Sequence, residues 1–373
     1  MWYMNEEREL LQKAFREYAQ KRVRPYVDKM EREEVGCKDL IKEMASLGFL
    51  GFNITEENGG NGIDYISYGL LLEELAREGY TVAFSMMIAY LFDRAIELGA
   101  KEGIIDKYLR PALKGEHVLG LAGNEPTGGN WHNGYQTVAK REGDNWVING
   151  TKVLISQADV ADYFMVMARS KETVDPVTSD GMECFMVDAR AKGVVVGHIE
   201  NKVGLNGSRT GTVYFNDVVV SEADRLTTSN IFTVEEFCGG YGVMELGAAE
   251  AALEKTIAYL KQREQFGASI WDAHESARAD VAKLYGKISN FRNSLYGHFA
   301  NLTNGLRDPK EAIPLKLEGA KLLEEVAREC IILFGGAGVI YETGIERSYR
   351  DAVISSVACA SDKSLETVLS MFL

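Results

Sequence analysis

The sequence predicts an α+β chain in three blocks: an N-terminal α-helical domain (1–120), a middle antiparallel β domain (121–225) built as a small sandwich or barrel, and a C-terminal four-helix bundle (226–373). Three observations carry that expectation. In 6–29 the apolar residues Leu10, Leu11, Phe15, Tyr18, Val23 and Tyr26 recur at helical spacing, and 70–90 is a second such run. The period then falls to two in the short runs 146–150, 163–167, 184–187 and 211–215, set apart by Gly, Asn, Asp and Pro. Long helical patterns return over 234–261, 273–304, 311–335 and from 362 onward. Helix, sheet and helix in successive blocks differ from the alternating βαβ order of a dinucleotide fold.

Size and charge narrow the function classes. At 373 residues the chain exceeds a single core, so two or three cooperating domains are expected. Acidic residues outnumber basic ones 55 to 41, a net charge of −14, which argues against a nucleic-acid or anionic-membrane partner. The first residues are charged and carry no apolar signal core, and no run approaches the ~20 apolar residues of a membrane span. Five scattered cysteines and five histidines lack the spacing of a disulfide framework or a metal site. A cytoplasmic, metal-free protein is expected.

Several motifs have both a bland and a functional reading. Gly335-Gly336-Ala337-Gly338 ends an apolar helix, where a cap explains most glycines, yet glycine also lets another group approach the backbone. Residues 123–130 form a Gly-rich loop at the helix-to-sheet junction. Arg263 ends a long helix, a position favoured by the helix dipole alone; its guanidinium could equally grip a pyrophosphate.

In order and spacing these segments resemble the acyl-CoA dehydrogenase family. Asn124-Glu125-Pro126 through Gly129 is similar to the family's T-E-P-G-A-G-S-D, and 149–156 to N-G-x-K-x-W-I-T-N. Residues 204–208 are similar to G-L-R-G-S-D-T and 263–267 to R-x-x-F-G. Residues 334–338 with Arg350-Asp351-Ala352 are similar to G-G-x-G and R-D-A. The resemblance implies FAD as cofactor, with Leu121, Gly123, Asn124, Leu154 and Ser156 around the flavin ring. It gives Arg263, Gln265 and Phe266 to the pyrophosphate and adenine of a neighbouring subunit's FAD, Gly335 and Gly336 to its close passage, and Ser361 to a further contact. Asn130 would touch the CoA thioester chain, and the family assembles as homotetramers. Met86, Met87, Tyr90, Phe237 and Tyr241 would line the acyl pocket, a bulky lining that favours a short or compact acyl group.

Departures fall on the chemistry itself. The family removes an α-proton with a Glu in Y-E-G-T, and ungapped counting from Arg350 puts Cys359 there. The other known Glu position maps to Phe237, with Glu236 one residue before and Cys238 where an Arg usually follows. Leu154 replaces a ring-stacking Trp, Arg209 an Asp, and Ile332 a Gln. The run 358–362 resembles the crotonobetainyl-CoA reductase type, which carries its Glu on the helix, so Glu236 is the preferred base. An exposed first-turn Glu favoured by the helix dipole is its bland reading. Glu245, inside an apolar run, and the Cys359 thiol are the other candidates.

The implied function is FAD-dependent interconversion of an acyl-CoA and its 2,3-enoyl-CoA, as dehydrogenase or reductase, with an electron-transferring flavoprotein as partner. Alternatives are an acyl-carrier-protein-linked dehydrogenase, a flavin monooxygenase or oxidase on this fold, and a non-catalytic scaffold.

Overall fold

The computed structural model describes residues 1–128, 135–175, 179–228 and 233–373. Six helices come first: α1 (Glu6–Tyr18), α2 (Arg24–Glu31), α3 (Lys38–Ser46), α4 (Tyr65–Glu78), α5 (Tyr80–Gly99) and the short α6 (Arg110–Leu113). The single helical run expected over 6–29 is α1 and α2 joined by a π-type turn, Ala19–Val23. The apolar run over 70–90 is likewise two helices, broken at Gly79, where a Cβ would meet the Val23 and Val27 side chains at 2.8 and 3.2 Å. The close approach of α2 excludes any side chain there.

Among the described residues seven strands form one sheet: β1 (Leu119–Ala122), β2 (Val138–Glu142), β3 (Asn145–Ile155), β4 (Tyr163–Arg169), β5 (Met182–Asp188), β6 (Val194–Ile199) and β7 (Gly211–Ser221). Their order is β1-β4-β2-β3-β7-β6, with β5 beside β4. Pairing is antiparallel except where β4 meets β1 and β2 in parallel, with Leu121 opposite Met165. Inward residues Trp146, Ile148, Phe164, Phe185, Val213 and Phe215 give this domain its own core. The helices before and after the sheet share a second, larger core.

The remaining elements are α7 (Val234–Gln262), the hairpin strands β8 (Glu264–Gln265) and β9 (Ala268–Ser269), α8 (Ile270–Ala273), α9 (Glu275–Thr303), α10 (Pro309–Phe334), α11 (Glu346–Ser355) and α12 (Asp362–Ser370). Three helices are long, as expected, but the fourth element is shared between α11 and the nine-residue α12. Gly344 in the left-handed region and a turn at 356–361 divide it from what precedes and follows.

Buried ion pairs lock the two helical parts together. Arg292 on α9 donates to both oxygens of Glu73 on α4 at 2.8 and 3.0 Å and to Glu250 on α7 at 2.6 Å. The Tyr296 hydroxyl adds a bond to Glu73 at 2.7 Å. Removing one partner from such a buried set is costly because it leaves the other charge uncompensated. On the sheet side, Asp351 of α11 accepts the Leu205 N–H at 2.8 Å and Arg350 donates to the Val203 carbonyl at 2.9 Å. Gly204 is held so close that a Cβ would meet Arg350 and Asp351 below 3.0 Å.

Candidate active site

One end of the sheet presents the first group of expected cofactor residues. Leu121 is the penultimate residue of β1, with Gly123 and Asn124 just beyond the strand's end at Ala122. The buried Lys152 of β3 donates to the Gly123 carbonyl at 3.0 Å and pairs with Glu125 at 2.8 Å, while Val153 N–H bonds the Asn124 carbonyl at 2.9 Å. These contacts bring Leu154 and Ser156 beside the end of β1. Leu154 lies in a bulge at φ 56° and is 58% exposed. A bulge re-aims a side chain, and an apolar residue held out in the left-handed region signals a surface awaiting cover.

A second group gathers elsewhere, in a groove of about 680 Å³ lined by Arg263, Gln265, Tyr259, Ile332, Gly335 and Gly336, among others. Gly335 takes φ 63°, and a Cβ on either glycine would meet nothing within 4 Å, so the floor is open to an approaching group. The Arg263 side chain makes no ion pair among the described residues. Phe266 and Gly267, at φ 52° and 87°, form the tip of the β8–β9 hairpin. Phe266 is 103% exposed there, outside the groove lining. A free guanidinium, a carboxamide and a bare glycine floor fit the adenine and pyrophosphate of a dinucleotide. None of the described β-domain residues lines this groove, so the two groups stand apart within one chain.

Acyl-pocket candidates divide. Met86, Met87 and Tyr90 are fully buried on α5. Tyr90 packs edge-on to Tyr68 at 4.7 Å and donates to the Phe49 carbonyl, and Met86 belongs to the same core. Met87 reaches α7, where it and the Tyr68 hydroxyl close on Gly240. Phe237 and Tyr241 stand one turn apart on α7 with ring centroids at 5.0 Å, and Phe84 of α5 meets Tyr241 at 6.2 Å. Asn130 lies outside the described residues. Ser361 caps α12, accepting from the Ser364 N–H at 3.3 Å.

The three base candidates have different surroundings. Glu236 is buried, and its Oε1 takes the Tyr65 hydroxyl at 2.6 Å, Arg307 at 2.8 Å and Arg94 at 3.6 Å. Five residues separate it from Tyr241, about 140° around the helix, so it faces α4 and α5 away from the Phe237–Tyr241 stripe. Glu245 accepts the Ser355 hydroxyl, and Lys316 nearby bonds the Ser355 carbonyl at 3.1 Å and Asp362 at 3.3 Å. Burial pushes the Glu245 carboxyl up to about 8, against the opposing pull of Ser355 and Lys316. Cys359 is half-buried beside the Tyr241 hydroxyl. Sequence reasoning missed Lys316, Ser355, Arg94 and Arg307; only the lone Lys316 inside an apolar stretch could have signalled a buried partner.

Family models cover most of the chain. The N-terminal, middle and C-terminal domains of acyl-CoA dehydrogenase match residues 5–116, 120–218 and 238–358 in that order. The chain belongs to the acyl-CoA dehydrogenase family. As a member it is an FAD-dependent oxidoreductase of CH–CH bonds. It is 30% identical to a short/branched chain specific acyl-CoA dehydrogenase of Bos taurus, over 94% of this chain and 82% of that one. It is 28% identical to a caffeyl-CoA reductase–Etf complex subunit of Acetobacterium woodii, over 99% and 98%. The solved butyryl-CoA dehydrogenase of Megasphaera elsdenii superposes with a TM-score of 0.92 at 26% identity, over 99% and 98%.

Two outcomes follow from the site. Arg263→Ala removes a charge-assisted contact of on the order of 1.5–3 kcal/mol and should lower FAD retention ~10–150-fold. Flavin absorbance per chain after gel filtration reads this, and unchanged content would remove Arg263 from the cofactor site. For Glu245 the unfolded carboxyl loses its proton near ~4.3 and the folded one near about 8, so its stabilising contribution is complete below the first value and declines as pH rises to the second. Glu245→Gln keeps the neutral shape, so melting temperature should vary less between pH 5 and 8 than in the wild type. An identical slope in both proteins would mean the carboxyl is not held protonated.

Proposed function

We propose that this chain interconverts a compact acyl-CoA and its 2,3-enoyl-CoA, working in the reductive direction with electrons from an electron-transferring flavoprotein. The observation that carries the substrate class is the packing of Phe84, Phe237 and Tyr241, whose rings fill the space between α5 and α7. Such a wall admits a short or flat acyl group and stops a long chain. The direction and the partner are supported by the caffeyl-CoA reductase–Etf complex subunit and by a 3-(aryl)acrylate reductase of Clostridium sporogenes, 28% identical over 95% of each chain.

When bound, FAD exchanges a hydride with the acyl β-carbon. Leu121, Gly123, Asn124, Leu154 and Ser156 would hold its ring against the sheet end, and Ser361 would close over it. Arg263, Gln265, Gly335 and Gly336 would receive the adenine half belonging to another copy, with Phe266 packed in that interface. Because this divides each cofactor site between copies, closed symmetry follows, and a homotetramer is our reading. Glu236, tied to Tyr65, Arg94 and Arg307, is assigned to holding α7 against the N-terminal domain. Five cysteines joined by no disulfide support a cytoplasmic setting.

Light scattering with flavin quantitation should report a tetramer carrying close to one FAD per chain. Without air, butyryl-CoA should bleach the flavin and crotonyl-CoA should restore it, whereas palmitoyl-CoA should leave the spectrum unchanged. Equal bleaching by palmitoyl-CoA would overturn the compact pocket. Silence toward every CoA thioester, with fast reaction of the reduced flavin with oxygen, would favour a carrier-protein-linked acyl group or a monooxygenase instead.

A further inference from the structure

Behind the end of β1 a single ion pair holds three pieces of backbone together. Lys152 of β3 and Glu125, just past β1, have side chains 0% and 2% exposed and meet at 2.8 Å. The ammonium's second bond goes to the Gly123 carbonyl at 3.0 Å, and the centroid of the Tyr135 ring lies 4.3 Å away. Glu125 in turn accepts the N–H groups of Gln136 and of Thr137, the latter at 3.1 Å, where the chain leads into β2. The pair therefore binds main chain at 123 and at 136–137 while belonging to β3 itself.

Its surroundings leave little tolerance. On the neighbouring residue of β3, the Val153 N–H bonds the Asn124 carbonyl at 2.9 Å. A Cβ at Gly150 would meet the Thr137 Cα at 2.7 Å, so β3 and the approach to β2 are already in close contact. Glu125 and Gly128 exchange N–H···O bonds at 3.2 Å, which closes the loop carrying the carboxylate. Buried charges are costly unless paired and hydrogen-bonded, so a pair this dry fixes the geometry of whatever it touches. At Gly123 it touches the segment assigned to the flavin ring, and Leu154 follows two residues further along β3.

We propose that Lys152 is a positioning residue for the cofactor: its ammonium, bound to Glu125, fixes the Gly123 carbonyl and so sets the shelf on which the flavin ring lies. This rests on the assignment of Leu121, Gly123 and Asn124 to that ring. Tight FAD binding then requires the charged form of Lys152. Burial pushes the ammonium down to about 8, against the pull of Glu125. Burial opposes the charge on Glu125 as well, but Lys152 with the Gln136 and Thr137 contacts outweighs it and holds the carboxyl below its usual range. The other titratable groups near the ammonium are Tyr135 and the buried Cys184 of β5, both pushed up by burial and so uncharged near neutrality. As pH rises past about 8 the ammonium gives up its proton, Glu125 loses its countercharge and the grip on Gly123 weakens. FAD affinity is therefore complete below that value and declines above it, and bound FAD in turn holds the proton on Lys152.

Fluorescence titration of flavin-free protein with FAD from pH 7 to 9 tests this without turnover. In the wild type the dissociation constant should rise with a midpoint near pH 8. Glu245→Gln should leave that midpoint in place, which separates Lys152 from the other group titrating near about 8. Lys152→Met combined with Glu125→Gln removes both charges, so no lone ion stays buried and the melting temperature of the flavin-free protein should remain close to the wild type. That double variant should bind FAD ~10–150-fold more weakly at pH 7, the usual effect of losing a hydrogen bond to a charged group, and without the pH dependence. Arg263→Ala should weaken binding alike at every pH. A wild-type constant that is flat from pH 7 to 9, a midpoint that vanishes in Glu245→Gln, or wild-type affinity in the double variant would overturn the positioning role and leave the flavin assignment standing. The wild-type and Glu245→Gln profiles decide the question where the double variant fails to fold. Wild-type protein that binds no FAD at any pH would sink the flavin assignment and this proposal with it.

Discussion

The 29-residue helix α7 is covered by neighbours over most of its length yet carries carboxylates at Glu236, Glu245 and Glu250. A buried carboxylate needs a partner, and each of these draws one from a different element. Glu236 takes Arg94 and Arg307, Glu245 takes Ser355 with Lys316 close by, and Glu250 takes Arg77 and Arg292. The charges on one helix therefore dictate which faces of α4, α5, α9, α10 and α11 can dock. Displace any of those and a carboxyl group on α7 loses its partner, which sets how firmly the two helical parts must be held in register. Close packing follows the same helix: a Cβ at Gly247 would collide with the Glu73 carbonyl, and one at Gly240 with Met87 and Tyr68.

From α7 the constraint passes to the β domain through α11. Its Arg350 and Asp351 grip the 203–205 loop of the β domain, while its last residue, Ser355, bonds Glu245. The turn presenting Cys359 begins where that helix ends. One short helix thus sets the distance between the sheet end carrying Leu154 and the α7 face carrying Tyr241. Burial pushes Asp351 up to about 6, so this grip joins a hydrogen-bonded carboxyl to backbone and leaves the surface charges outside it.

The block order of helix, sheet and helix was legible because the hydrophobic period changes near 120 and again near 225. What periodicity could not reveal was where neighbours interrupt a run. Gly79 breaks the 70–90 pattern because Val23 and Val27 press on it, and nothing local marks that contact. Arg263, Gln265, Gly335 and Gly336 were readable as a group because each motif keeps its local chemistry, and the fold brings them to one groove. Ungapped counting from Arg263 marked Glu236, but the partners that surround its carboxylate, Tyr65, Arg94 and Arg307, lie far away in sequence and nothing local announces them.

The β8–β9 hairpin tip has a consequence for how the chain meets other surfaces. Phe266 holds a strained left-handed backbone and offers a whole aromatic ring to water. Covering a Phe side chain is worth roughly 1.5–3 kcal/mol, and until cover arrives that free energy is available to any apolar surface nearby. A newly made chain is therefore at its most adhesive at this tip. Every surface able to cover the ring competes for it on terms set by its concentration.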